Sequence, residues 1–447
     1  MMDREVELLA IGAGPSNLAL AVALEELAPD DLARNSLVIE RAEAVQWQRG
    51  LLLPWTKSQV SFLKDLVTRR NPRSRFSFLN YLHSVGRLDD FINMGSFTPY
   101  RIEISDYLNW VADSLTKVRL ELGQDCVSVE PRRDASGSLN GWITRLGDGS
   151  AIASRYLVFG AGRDPHIPAV FAGLPASRLI HSTQYRPRVA GLSRELPYRV
   201  AVIGSAQSAA EMFRALQDDL PNSEVTWLMR AIGLSAYQTS KFTNELYYPS
   251  FVDKFFEARP EGREQILREM HHTNYSGVAP SLLESLYSDL YTDRLAGLNR
   301  KRLITMVDVA AAREEADEAV LELADRRTGA VTRLHRDLIF LGTGFAKQMP
   351  GIVRGLGAAL GLAEITVNRR YRLALDEPSA AACYLQGVNE GTHGIADTLL
   401  SVLADRAADT VADILAHRPR VKVNGHRPAD SSALVTVRVP ADGRVGR

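Results

Sequence analysis

Cysteine is nearly absent: Cys126 and Cys383 are the only two in 447 residues. They stand far apart, so the chain has no CxxC pair, no zinc-ligand spacing and no disulfide framework. Charge of one sign is not in surplus either, with 53 Lys plus Arg against 53 Asp plus Glu. Nucleic acid and anionic membranes normally require a basic excess, so neither is expected as a partner. Long hydrophobic runs are also missing. The start, Met1 to Glu7, carries no basic region, and the apolar stretch that follows is broken by Gly12, Gly14, Pro15, Ser16 and Asn17. It reads as neither signal peptide nor membrane span. A cytoplasmic globular protein with material for about three domains is the expectation.

What is present begins at those glycines. Val6–Ile11 is a short apolar strand, Gly12-Ala13-Gly14-Pro15-Ser16-Asn17 a turn, and Leu18–Leu24 a run of strong helix formers. Strand, glycine turn and helix is the context a dinucleotide fingerprint needs. Glycine lets the backbone approach a pyrophosphate, and the helix N-terminus faces that charge. A second strand, Ser36–Ile39, runs into Glu40, 23 positions after Asn17. That spacing suits a carboxylate accepting the hydroxyls of an adenosine ribose. Asn17 stands where a third glycine is usual, so an ordinary tight turn remains the alternative for this motif alone.

The same grammar recurs. Arg199–Ile203 is a strand, Gly204-Ser205-Ala206-Gln207-Ser208-Ala209 the turn, Ala210–Leu216 the helix, and Glu224–Met229 a strand ending in Arg230. A base in place of the acid attracts a 2′-phosphate, which marks the second site for NADP rather than NAD. Two further strand-to-glycine segments, Tyr156–Pro168 and Asp337–Phe345, read as passages between two nucleotide domains. Between Tyr237 and Tyr291, ten of 55 residues are Phe or Tyr, and leucine-rich helical patterns accompany them. The aromatics suit helix packing more readily than a cofactor box.

The expected fold is therefore α/β: two Rossmann-like dinucleotide-binding domains, for FAD and NADPH, with a smaller, mainly helical substrate domain. The expected division is an interrupted FAD domain (1–165 and 336–418), an NADPH domain (166–235 and 296–335), a helical insertion (236–295) and a flexible tail (419–447). A protein with both sites passes hydride from NADPH to flavin. Without a redox cysteine pair it is not a disulfide reductase, and oxygen becomes the expected acceptor.

At this point a family resemblance enters. Gly12–Leu18, Leu53-Pro54-Trp55, Gln59–Val67, Asn80–His83, Asp106–Trp110, Gln207–Glu211, Asn274–Gly277, Asp337–Phe345 and His393-Gly394-Ile395 resemble the microbial N-hydroxylating flavin monooxygenases acting on L-ornithine or L-lysine. The string Phe62-Leu63-Lys64-Asp65-Leu66 is specific to that family, and the likeness runs from about residue 5 to 418. It implies an FAD- and NADPH-dependent L-ornithine N5-monooxygenase using O2 through a C4a-hydroperoxyflavin. The product would feed hydroxamate siderophore or related peptide assembly. Ornithine is favoured over lysine because Phe91–Arg101 is more similar to the ornithine branch.

The resemblance also implies roles, residue by residue. Lys64 binds the substrate carboxylate; Asn244 and Asn274 hold its α-amino and carboxylate groups; Gln59 and Ser401 lie near the flavin, Ser401 also near the reacting amine. Gly12, Gly14, Pro15, Ser16, Asn17, Glu40, Trp47 and Asn389 serve FAD. Gly204, Gln207, Ser208 and Arg230 serve NADPH. A homotetramer is implied as well. Read alone, Lys64 is equally a solvated lysine, the two asparagines turn or cap residues, and Ser401 a helix serine bonding its own backbone. His181 reads either as a gate near the nicotinamide or as a structural histidine. The runner-up substrate is lysine. A non-catalytic FAD/NADP redox sensor is the alternative of another class. Four departures stand out: Ala206 at the second glycine position of the NADP turn, expected to weaken or shift NADPH binding; Gln48 where relatives tend to have His, which removes any flavin role expected there; and Gly342 and Phe345 in place of an Ala and a Tyr, expected to matter little.

Overall fold

The computed structural model describes residues 4–238 and 240–418; the expected tail, 419–447, lies outside the described residues. Its first sheet has a parallel core in the order Arg119–Glu121, Ser36–Ile39, Arg4–Ile11, Ala151–Phe159, Ala382–Leu385. Four of these strands are largely apolar, as parallel strands covered on both faces must be, whereas the edge strand Arg119–Glu121 is polar and partly exposed. An antiparallel pair, Cys126–Arg133 and Leu139–Leu146, extends this sheet from the first half of Ala151–Phe159. Helix Pro15–Leu27 packs on helix Leu403–His417 over one face, sharing a core with Val38, Tyr107, Tyr156 and Tyr384.

The second sheet is wholly parallel, in the order Lys301–Ile304, Glu224–Leu228, Arg199–Ile203, Leu338–Leu341, Leu179–His181. The chain thus leaves the first sheet at Phe159, builds the second, and returns to the first with Ala382–Leu385. The outgoing and returning passages lie side by side: the His166 N–H donates to the Gly344 carbonyl at 2.9 Å and the Ala346 N–H to the Asp164 carbonyl at 2.8 Å. A three-stranded antiparallel sheet, Val307–Glu315, Glu318–Asp325 and Val331–Arg336, covers one face of the second sheet through Phe171, Leu321 and Leu228.

The aromatic-rich segment divides its loyalties. Tyr247, Phe251 and Val252 pack with Met270 against Ile395, Ala396 and Val402, on the flavin side of the molecule. Helix Pro280–Leu295 instead places Leu282 and Leu286 in the second sheet's core beside Val200 and Phe213. Among the described residues no helix is long and apolar enough to cross a membrane.

Candidate active site

In open parallel sheets ligands collect beyond the carboxyl ends of the strands. At that edge of the first sheet Gly12 adopts φ +91°, and a Cβ there would stand 2.9 Å from the Ala161 Cα and 3.1 Å from the Gly160 carbonyl. Only glycine fits, which is the cradle the sequence called for. Pro15 opens the helix, where its fixed φ and missing N–H cost nothing, and no side chain caps that end. The Glu40 carboxylate accepts the N–H of Ala13 at 2.8 Å and of Ala42 at 3.0 Å, one on each oxygen. Its remaining lone pairs are free for ribose hydroxyls.

Asn17 differs from the expected cofactor contact. It is fully buried, and its Nδ2 donates to the carbonyls of Ile11 and Gly12 at 2.9 and 2.8 Å. Its amide fills the space above Gly160, where a Cβ would lie 2.6 Å away. The side chain braces the turn through its Nδ2, while its buried Oδ1 has no partner among the described residues. Trp47 is half-buried against the first core, Gln59 is exposed, and Gln48 is exposed at φ +54°.

The far end of the same cleft carries buried polar atoms that lack partners: Gln386 Nε2, Asn389 Oδ1, Ser401 Oγ and Arg406 Nε. Buried groups of this kind are normally satisfied. A polar ligand along this edge, such as a dinucleotide flavin, supplies what they lack, so the residues fit FAD. Ser401 lies on the tight turn Leu400–Val402, and its hydroxyl does not bond its own backbone. Asn389 is held in place by its Nδ2 on the Leu385 carbonyl at 2.6 Å and by its N–H on Asp397 Oδ2 at 2.7 Å. Arg406, which sequence reasoning missed, pairs with Asp397 at 2.7 Å and donates from Nη2 to Ser16 Oγ at 2.8 Å.

The second turn follows the same rules. Gly204 sits at φ +131°, with a Cβ only 2.4 Å from the Gly342 carbonyl. Ala206 has an ordinary extended backbone (φ −109°, ψ −175°), so its methyl is accommodated without strain. Ser208 is half-buried at the uncapped start of helix Gln207–Asp219, and Arg230 is exposed at the end of its strand, forming no ion pair among the described residues. Both suit NADP phosphates. Gln207 is also engaged by protein: its Nε2 donates to Glu211 and its Oε1 accepts the Ala279 N–H, each at 2.8 Å. It ties the helix start to protein and keeps a second N–H and a second lone pair open. His181 is structural, with Nδ1 near Thr183 Oγ1 at 3.0 Å and Nε2 on the Gly344 carbonyl at 2.9 Å.

Gly342 corrects an expectation. A Cβ there would fall 2.6 Å from the Ala209 Cβ and 2.7 Å from its backbone, inside the second turn's helix. Gly342→Ala should therefore destabilise by about 1–3 kcal/mol through overpacking. A melting curve with and without NADP+ checks this, and an unchanged melting temperature would refute it.

Lys64 is half-buried beside the aromatic-rich segment, with its Nζ 5.1 Å from the Tyr248 ring centroid. Arg69 shares that ring at 4.8 Å and reaches Asp405 at 3.6 Å, whereas Lys64 has no carboxylate partner among the described residues. Burial, and then the neighbouring Arg69 charge, hold the Lys64 ammonium below the ordinary lysine pKa. It is a cation short of an anion. Asn244 and Asn274 belong to neighbouring segments joined by the hydrogen bond between the Tyr247 and Thr273 hydroxyls. Neither asparagine side chain bonds another described residue, so neither acts as a cap. Tyr275 donates to Glu390 at 2.7 Å and lies 3.1 Å from Thr398 Oγ1, fastening this segment to the loop that leads to Ser401.

Two glycine-cradled nucleotide turns and a half-buried cation suited to a carboxylate are the features of a two-nucleotide flavin oxidoreductase. The family model for L-lysine 6-monooxygenase/L-ornithine 5-monooxygenase matches residues 4–347, and the chain belongs to that family. It is 38% identical over 419 residues to the L-ornithine N(5)-monooxygenase of Pseudomonas aeruginosa, covering 92% of this chain and 94% of that one. Among solved structures it resembles the ornithine hydroxylase of the same organism (TM-score 0.86, 37% identity, 92% of this chain and 99% of that one). The ornithine N-hydroxylase of Kutzneria sp. 744, solved with reduced FAD, NADP+ and L-ornithine, is similar at TM-score 0.85 and 32% identity over 92% of this chain and 99% of that one.

Proposed function

We propose that the chain is an FAD- and NADPH-dependent L-ornithine N5-monooxygenase. The observation that carries this reading is Lys64, a half-buried ammonium without a counterion among the described residues, in a family whose relatives hydroxylate a basic amino acid. FAD, reduced by NADPH, supplies the oxygen-activating chemistry when bound. The protein's own residues supply position and environment. Lys64 takes the substrate carboxylate, and Asn244 with Asn274 takes the remaining head-group atoms, so the distal amine projects toward Ser401 and the flavin edge. The buried Ser401 hydroxyl is free to accept or donate there. The amine must be neutral to react, although its solution pKa lies near about 10.4. A partly desolvated pocket favours the neutral form.

Gly12, Gly14, Pro15, Ser16, Glu40, Trp47, Gln59 and Asn389 are assigned to FAD, with Asn17 as the brace of its turn. Gly204, Ser208 and Arg230 are assigned to NADPH, with Gln207 holding the helix start. The domain division given from sequence is kept as part of the proposal with two corrections: helix Pro280–Leu295 moves to the NADPH domain because it shares that core, and strand Leu338–Leu341, expected in the FAD domain, moves there too because it pairs between Arg199–Ile203 and Leu179–His181. A cytoplasmic homo-oligomer delivering hydroxyornithine to siderophore or related peptide assembly completes it. Tyr287, Tyr291 and Leu295, exposed at 67%, 54% and 74% along one helix face, support self-association.

The deciding experiment is mass spectrometry of the product formed from an equimolar ornithine and lysine mixture with NADPH and oxygen. N5-hydroxyornithine should dominate. Excess N6-hydroxylysine would reverse the substrate assignment, and NADPH oxidation with no hydroxylated product would favour a redox sensor. One methylene is worth only about 1–3 kcal/mol, so some lysine turnover is compatible with the assignment.

A further inference from the structure

Among the described residues a single buried ion pair joins the flavin half to the NADPH half. Arg101 and Glu211 meet fork to fork, Nη1 to Oε2 at 2.7 Å and Nη2 to Oε1 at 2.6 Å, with side chains 6% and 1% exposed. Arg101 opens helix Arg101–Asp113 of the first half, and Glu211 lies one turn into helix Gln207–Asp219, directly behind the NADP turn. Burying such a pair gains little net stability, and apolar residues of similar size would hold the helices together equally well. What the bidentate fork adds is a fixed distance and angle.

The contacts around the pair show what is being fixed. On one side Glu211 Oε1 also accepts from Gln207 Nε2, and Gln207 Oε1 accepts the Ala279 N–H, both at 2.8 Å. Ala279 follows the Asn274–Gly277 segment, where a Cβ on Gly277 would lie 2.2 Å from the Tyr237 Cα, so the chain there has little room to move. On the other side the Arg101 N–H donates to the Thr56 carbonyl at 2.9 Å, the Ser58 N–H to Pro99 at 2.8 Å and the Phe62 N–H to Phe97 at 2.9 Å. That zipped strip carries Gln59 and runs on to Lys64.

We propose that Glu211 is a positioning residue for the oxygenation: with Arg101 and Gln207 it holds the NADP turn in register with the strip carrying Gln59 and Lys64 and with the Asn274 segment. The proposal rests on the function argued above. In the coupled reaction the amine, O2, NADPH and a proton give the hydroxylamine, NADP+ and water. When the nucleotide sits out of register, NADPH, O2 and a proton give NADP+ and hydrogen peroxide instead.

The test compares wild-type holoenzyme with Glu211→Gln and with the double variant Arg101→Met/Glu211→Met, which removes both charges and keeps apolar packing. FAD content, melting temperature, NADP+ affinity by equilibrium dialysis, anaerobic flavin reduction by NADPH, and peroxide formed per NADPH are measured. The double variant should keep its FAD and melting temperature while NADP+ affinity and the reduction rate each fall about tenfold and the peroxide share rises. A double variant with wild-type NADP+ affinity and reduction rate overturns the proposal. So does loss of FAD or of the fold in both variants, which would make the pair structural only. If the wild type hydroxylates no diamine acid, the functional reading fails, while the dialysis and reduction measurements still decide the role of Glu211.

Discussion

Replacing Lys64 with Met should raise the KM for ornithine by roughly thirtyfold or more, about 2 kcal/mol at the low end for removing one partner of a charged hydrogen-bonded pair. The low end applies because Lys64 is only half-buried and some solvent screening remains. Methionine keeps the apolar stem against Tyr248, so the loss reports charge rather than packing. FAD stoichiometry should stay unchanged, because the Gly12 turn, Glu40 and Asn389, which carry most of the FAD assignment, lie at the edge of the first sheet and make no contact with Lys64. A pH profile adds a signature that a structural lysine would not give. Lys64 binds carboxylate only as the ammonium, and burial and then Arg69 place its pKa below the usual lysine value. Affinity is therefore full below that lowered pKa and is lost as pH rises through it, earlier than an ordinary lysine would dictate. A bound carboxylate favours the charged form and moves the pKa back up. The alkaline fall of kcat/KM, which reports free enzyme, should thus lie at lower pH than that of kcat. In Lys64→Met the alkaline limb of kcat/KM should vanish, leaving only the rise that follows deprotonation of the substrate amine. A variant with unaltered KM and an intact alkaline limb would remove Lys64 from the substrate site.

How far the sequence spoke depends on how local each feature is. Strands Arg199–Ile203 and Ser36–Ile39 and the turns at Gly12 and Gly204 were legible because apolar runs and positive-φ glycines are set by neighbouring residues. The return of the chain to the first sheet was legible too, through the paired glycine passages. The long-range partners were not. Arg406 sits among Leu403, Ala407 and Val411 on a buried face, an anomaly of pattern visible in sequence, but its partner Ser16 lies 390 positions away. Glu211 was quoted within a motif, yet nothing in its spacing points to Arg101. Asn17 was visible only as a missing glycine; that its amide replaces the missing close approach by bonding two carbonyls depends on where Gly160 packs. The need for Gly342 is hidden for the same reason, since the atoms a methyl there would strike belong to Ala209, far off in the chain.

Breaking the Arg406–Asp397 pair should weaken FAD binding by about 3 kcal/mol or more, roughly a hundredfold, because one buried charge is left without its partner. The side chains are 1% and 0% exposed, and Arg406 Nη1 reaches both the Asp397 carboxylate at 2.7 Å and its carbonyl at 2.6 Å. The same guanidinium donates to Ser16 Oγ at the start of the first helix, so this oxygen accepts from arginine and its own proton is left for another acceptor. Asp397 Oδ2 meanwhile fixes the Asn389 N–H. One pair thereby orders both ends of the flavin cleft. Arg406→Met and Asp397→Asn should each lower the melting temperature of the apoprotein and raise the FAD dissociation constant, measured by quenching of flavin fluorescence. The combined variant Arg406→Met/Asp397→Asn removes both charges while the new amide still accepts from Asn389. Its apoprotein melting temperature should recover, but its FAD affinity should remain well below wild type, because Ser16 has lost the donor that aimed its hydroxyl. Wild-type FAD affinity in that double variant would show that the pair acts only by avoiding an unpaired charge and that Ser16 needs no arginine.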